Sequence, residues 1–124
     1  MAFDVQLEWL VGPHELSGVD HETRKNPYGY GYGDEEANGL RFVLDGVTFL
    51  AMEDPEDGYR STLGGLAIVS DPPVTNVFAP VKVTGRMRAP SNEPYHDSSD
   101  EVIEFVVASG DVVLAVGTDN ADDY

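Results

Sequence analysis

The sequence predicts an all-β or mainly β single domain over residues 1–124, a small hairpin-built sandwich or open barrel, with an α+β arrangement as the alternative. Three observations predict it. Apolar residues recur at every second position in several short runs, the period of a strand with one buried face. An Asp-Gly pair, Asp45-Gly46, sits between two of those runs, where the turn chemistry of a two-residue hairpin requires it. The 8 prolines and 13 glycines punctuate the chain at short intervals, and no segment of 12 or more residues carries a clean helical period.

The elements follow in order. Phe3, Val5, Leu7, Trp9 and Val11 alternate with Asp4, Gln6 and Glu8, which predicts a half-buried first strand. Residues 12–38 show no such period and are expected to form a long functional loop or irregular insertion. Leu40 to Leu44 and Val47 to Ala51 then flank the Asp-Gly turn as a hairpin. Ser61 to Ser70 fits a short strand or one helical turn, with Gly64-Gly65 weakening both. Farther on, Val81, Val83, Met87 and Ala89 share one parity and Lys82, Thr84, Arg86 and Arg88 the other, so one face of this strand carries three cations. Val102 to Ala108 and Val112 to Thr118 surround Ser109-Gly110-Asp111 and are apolar on both parities, the pattern of interior strands in a second hairpin.

Composition narrows the function classes. The chain carries 23 Asp+Glu against 7 Lys+Arg, a formal net charge of −16, so nucleic acid and anionic membranes would be repelled. With 13 acids and 4 bases in residues 1–62 and 10 and 3 in residues 63–124, the charge belongs to the whole chain rather than to a tail. A hydrophobic fraction of 41 % is too rich for a disordered acidic segment. Absent cysteine removes disulfides, thiolate metal sites and a Cys nucleophile. No apolar run of membrane-spanning length and no secretory leader is visible, so the expected compartment is the cytoplasm.

Thirteen of the 23 acids fall in four clusters within expected connections: Asp34-Glu35-Glu36, Glu53-Asp54 with Glu56-Asp57, Asp97 with Asp100-Glu101, and Asp119 with Asp122-Asp123. Such loops serve solubility or adaptation to high salt. Held on strands, alternate carboxylates also repeat at ~6.6 Å, comparable with backbone phosphates, and would compete for a basic groove. Weak Ca²⁺ binding is the third use of the same residues, although neither Glu53 to Gly58 nor Asp119 to Asp123 has the residue pattern of a calcium loop. No cofactor and no specific metal site is expected.

Tyr28, Tyr30 and Tyr32 alternate with glycines and run into the first acid cluster. Tyrosine offers rigid amphipathic contact area and glycine lets the backbone adapt, a pairing suited to protein-binding loops, although three tyrosines over a sheet edge would explain them equally. Lys82, Arg86 and Arg88 are expected to pair with carboxylates across strands rather than to bind nucleic acid. Catalysis is not expected. His14, His21 and His96 lack zinc spacing, and the residue types in His96-Asp97-Ser98-Ser99-Asp100 are too close in sequence to form a hydrogen-bonded triad.

Asp54-Pro55-Glu56-Asp57-Gly58-Tyr59-Arg60-Ser61 and Val116-Gly117-Thr118-Asp119-Asn120-Ala121-Asp122-Asp123-Tyr124 resemble small acidic phage and prophage proteins of unassigned function, a likeness covering residues 39–124. The resemblance implies a mobile-element context, in which such proteins inhibit host defence, anti-CRISPR proteins that mimic DNA among them. The expected function is therefore a non-enzymatic acidic inhibitor of a basic, nucleic-acid-binding host nuclease complex, acting in the host cytoplasm. Asp34, Glu35, Glu36, Glu53, Asp54, Glu56 and Asp57 would meet phosphate-binding Lys and Arg side chains, and Tyr28, Tyr30 and Tyr32 would supply apolar anchors. A phage structural or accessory β-module and a carboxylate-rich Ca²⁺-binding domain are the alternatives.

Overall fold

The computed structural model describes residues 4–25, 36–53, 65–69, 73–88 and 101–118. It is mainly β. Seven antiparallel strands form one sheet: β1 (Gly12–Lys25), β2 (Glu36–Leu44), β3 (Val47–Met52), β4 (Gly65–Ile68), β5 (Val77–Met87), β6 (Glu101–Val106) and β7 (Val112–Thr118). Their order across the sheet is β4-β3-β2-β1-β5-β6-β7.

The Asp-Gly hairpin forms where the sequence places it. Asp45 and Gly46 have φ of 52° and 80°, the two positive values that a type I′ turn needs and that glycine adopts without strain. With that turn fixed, Leu44 pairs with Val47 and Phe42 with Phe49. Leu40, Phe42 and Leu44 then share the core face with Phe49 and Ala51.

Only a curled sheet explains the core. Strands β2 and β6 are three steps apart, ~14 Å in a flat sheet, yet the Phe42 and Phe105 ring centroids are 6.1 Å apart. Phe42 also stacks on Phe49 at 5.6 Å, so β2, β3 and β6 share one apolar centre. Of the two expected arrangements, this single curled sheet corresponds to the open barrel.

Three local expectations are corrected. The first concerns residues 12–38, expected as a loop or insertion: Gly12 to Lys25 is instead a 14-residue strand at the middle of the sheet. Its only large apolar side chains, Leu16 and Val19, are three positions apart and would face opposite ways on a regular strand. A register shift between Leu16 and Gly18 turns both toward the core, with Leu16 opposite Leu44 and Val19 opposite Phe42. Residues 26–35 of the expected loop lie outside the described residues.

The second concerns the N-terminus. Leu7–Leu10 is a 3-10 helix, and its buried residues, Leu7 and Leu10, have the three-residue spacing that stacks side chains in that geometry. Trp9, expected on the buried face of a strand, is 66 % exposed. Only the start of this segment pairs with the sheet edge, through Val5 N–H donating to the Leu66 carbonyl at 3.1 Å. The chain then packs against β5 and β6. Its end crosses β5 so closely that a Cβ on Gly85 would overlap the Leu10 carbonyl oxygen.

The third is β7, which terminates the sheet rather than lying inside it, with Val112 and Val113 exposed. Double-parity apolar sequence signals two covered faces, but here only Leu114 and Val116 reach the core.

Candidate functional site

Register decides where the acid clusters stand. Lys25 pairs with Glu36, and Asn38 N–H donates to Glu53 Oε1 at 2.8 Å, so the described members of the first two clusters lie at one end of the β1-β2-β3 ladder. The segment carrying Tyr28, Tyr30 and Tyr32 begins and ends at that same pole, because it joins the cross-strand partners Lys25 and Glu36. At the opposite end of the sheet, Glu101 of the third cluster pairs with Thr118, the residue immediately before Asp119 of the fourth. Among the described residues, Glu36 and Glu53 thus stand at one pole of the sheet and the backbone of Glu101 at the other, separated by roughly the length of β1, whose residues rise ~3.3 Å each.

Of the expected binding residues, Glu36 is exposed at the first position of β2, whereas Glu53 is half-buried and partly occupied in holding the Asn38 amide. Tyr28, Tyr30, Tyr32, Asp34, Glu35, Asp54, Glu56 and Asp57 lie outside the described residues, as do His96 to Asp100 and Asp119 to Asp123.

Between the poles, three arginines are tied to carboxylates on the sheet, whereas Lys82, expected to pair likewise, makes no ion pair among the described residues even though Glu15 is its cross-strand partner. Arg86 pairs in register with Glu104, and both Arg86 Nε (3.4 Å) and Arg88 Nε (3.1 Å) donate to its two oxygens. The expected cross-strand role holds for these two arginines. Arg41, only 5 % exposed, donates through Nε to Glu22 Oε1 on the neighbouring strand. Asp20, beside it on β1, accepts the amides of Thr75 (2.7 Å) and Asn76 (2.9 Å) and clips that segment across the sheet. Those two amides, Thr75 first, hold the Asp20 carboxyl below its ordinary pKa.

One further arrangement had no sequence signal. His14 reads as an isolated histidine and Asp45 as a turn residue, yet the curled sheet brings them together 31 positions apart. His14 Nδ1 lies 2.6 Å from Asp45 Oδ2 and Nε2 lies 2.8 Å from the Leu10 carbonyl oxygen, so both ring nitrogens have an oxygen within hydrogen-bond reach. The hydrogen bond from His14, followed by that from Glu15 N–H, lowers the Asp45 pKa. With both nitrogens engaged, the imidazole braces the Asp45 turn against the end of the 3-10 segment.

Beside this brace lies an open groove of about 590 Å³. Pro13, Val83, Val106, Val107 and Ala108 give it apolar walls, and Glu15, Lys82 and Thr84 line it with polar groups. Among the described residues, no group of three or more His, Asp or Glu side chains is arranged to hold a metal ion. No described helix is long and apolar enough to cross a membrane. Compared with known proteins, the chain matches no family model, no curated protein and no solved structure.

Proposed function

We propose that the protein is a non-enzymatic, acidic interaction protein that inhibits a basic nucleic-acid-handling partner by occupying the surface that normally holds phosphates. The observation that supports this reading best is the division of charge. Arg41, Arg86 and Arg88 are each tied to a carboxylate within the sheet, while Glu36 and Glu53 at one end and Glu101 at the other belong to acid-rich stretches of the sequence, and the net −16 is carried by the remaining carboxylates. A long-range negative field of this kind accelerates encounter with a positive surface.

The pole at Glu36 and Glu53 is the preferred contact, because Tyr28, Tyr30 and Tyr32 lie in sequence between the strand partners Lys25 and Glu36 and directly precede Asp34-Glu35-Glu36. Charge there steers the approach, and aromatic side chains supply the desolvated area that holds a complex. This reading takes up the likeness of residues 39–124 to phage and prophage proteins: the partner would then be a host nuclease complex, and inhibition of CRISPR-type defence in the host cytoplasm the biological role.

The test is affinity capture from a host lysate on the immobilised protein, at low and at high salt. The proposal expects a basic nucleic-acid-binding protein to be retained at low salt and lost at high salt. Recovery of no such protein at low salt overturns it.

A further inference from the structure

The groove beside the His14–Asp45 brace is about ten β1 residues from the Lys25 pole, so it is separate from the surface assigned to a basic partner. It holds two opposite charges in an unusual state. Glu15 and Lys82 are direct cross-strand partners, the register in which opposite charges ordinarily meet. Yet among the described residues neither side chain makes an ion pair or a hydrogen bond. Arg41, Arg86 and Arg88, by contrast, all have a carboxylate partner. Asp45, the other acid of the groove, is already occupied by His14 and by the Glu15 amide. The walls beside the two unpaired charges, Pro13, Val106 and Val107 among them, are apolar.

We propose that this groove binds a small zwitterion of the α-amino acid type with an apolar side chain, its ammonium on Glu15 and its carboxylate on Lys82. A simple anion would meet Lys82 alone, within the field of a chain of net charge −16. A simple cation would meet Glu15 but be repelled by Lys82. A molecule bearing both charges on one carbon satisfies both side chains, and its side chain covers the apolar wall. The volume falls within the ~300–1,000 Å³ of small-molecule sites, where apolar lining supplies affinity and a few polar groups fix orientation.

The test uses the full chain and L-phenylalanine, with glycine, 2-phenylethylamine and 3-phenylpropionate as probes lacking the side chain, the carboxylate and the ammonium. Binding is read by calorimetry and by amide chemical-shift changes. L-Phenylalanine is expected to bind at least about tenfold more tightly than each of the other three, with shifts centred on Glu15, Lys82 to Thr84 and Val106 to Ala108. Lys82→Met should weaken L-phenylalanine and 3-phenylpropionate about tenfold and spare 2-phenylethylamine, whereas Glu15→Gln should weaken L-phenylalanine and 2-phenylethylamine about tenfold and spare 3-phenylpropionate. Both substitutions are at exposed positions, so folding is retained. The proposal is overturned if L-phenylalanine produces no shifts at about 10 mM, if the four probes bind alike, or if neither substitution alters its affinity. The capture experiment with a basic partner does not depend on this result.

Discussion

Asp45 reaches His14 across 31 positions of sequence, with Oδ2 2.6 Å from Nδ1, while its Oδ1 accepts the Glu15 amide at 2.8 Å. One turn residue thus joins the β2–β3 hairpin to β1, and through the second imidazole nitrogen to the Leu10 carbonyl that ends the 3-10 segment. Folding of the hairpin and docking of the N-terminus are coupled through a single ring.

That coupling gives stability a defined acid limb. Asp45 and Asp20 both have folded pKa values below the ordinary aspartate value, so each contributes stability above that value that is lost as pH falls through the lower folded one. Urea midpoints should decline below about pH 4. The decline should be shallower in Asp45→Asn and in Asp20→Asn, and shallower still in the double variant. An unchanged slope in all three would contradict this assignment.

Gly85 is required by close approach rather than by its backbone angle. A methyl group there meets the Leu10 carbonyl, and also Phe105 Cε1 at 3.1 Å and Ile103 Cδ1 at 3.2 Å. Gly85→Ala should therefore destabilise by about 1–3 kcal/mol, with amide shifts in Leu7 to Val11 reporting the displaced segment.

The two arginine sites should respond differently. Arg41 is 6 % exposed in its side chain and donates to Glu22 on the neighbouring strand, so removing this buried charged donor in Arg41→Ala should cost about 3 kcal/mol. Arg86 is half-exposed and shares Glu104 with Arg88, so Arg86→Ala should cost less than about 1 kcal/mol. Chemical denaturation of the two variants measures both.

Phe42 contacts aromatic rings from both β3 and β6, so its loss should open the curl of the sheet. Phe42→Ala should destabilise by about 3–5 kcal/mol. Phe42→Leu, which keeps most of the buried area, should cost less than half of that in the same denaturation series.

Legibility in the sequence followed the physics of each element. The Asp45-Gly46 hairpin is local, because its turn residues and its alternation state the register directly. That Arg86 and Arg88 pair with a carboxylate across strands follows from parity and charge, whereas the identity of that carboxylate, Glu104, required the β5–β6 register. β1 was hidden because the shift near Gly18 breaks the alternation that would have linked Leu16 to Val19. The 3-10 segment was hidden because Val5, Leu7 and Trp9 imitate a strand, and only the crossing over Gly85 shows how the chain turns. The His14–Asp45 brace depends on sheet curvature, which no local pattern encodes. The acid clusters could be counted from sequence, but the placing of Glu36 and Glu53 at one pole and Glu101 at the other required the strand register.

The central claim is that acidic poles compete with phosphate for a basic surface, and competition by DNA tests it most directly. A basic partner captured at low salt should be displaced from the immobilised protein by duplex DNA that it binds, with a half-displacement concentration that rises in proportion to the partner's dissociation constant across duplexes of different affinity. Simultaneous binding of DNA and this protein to the same partner molecule would contradict the claim.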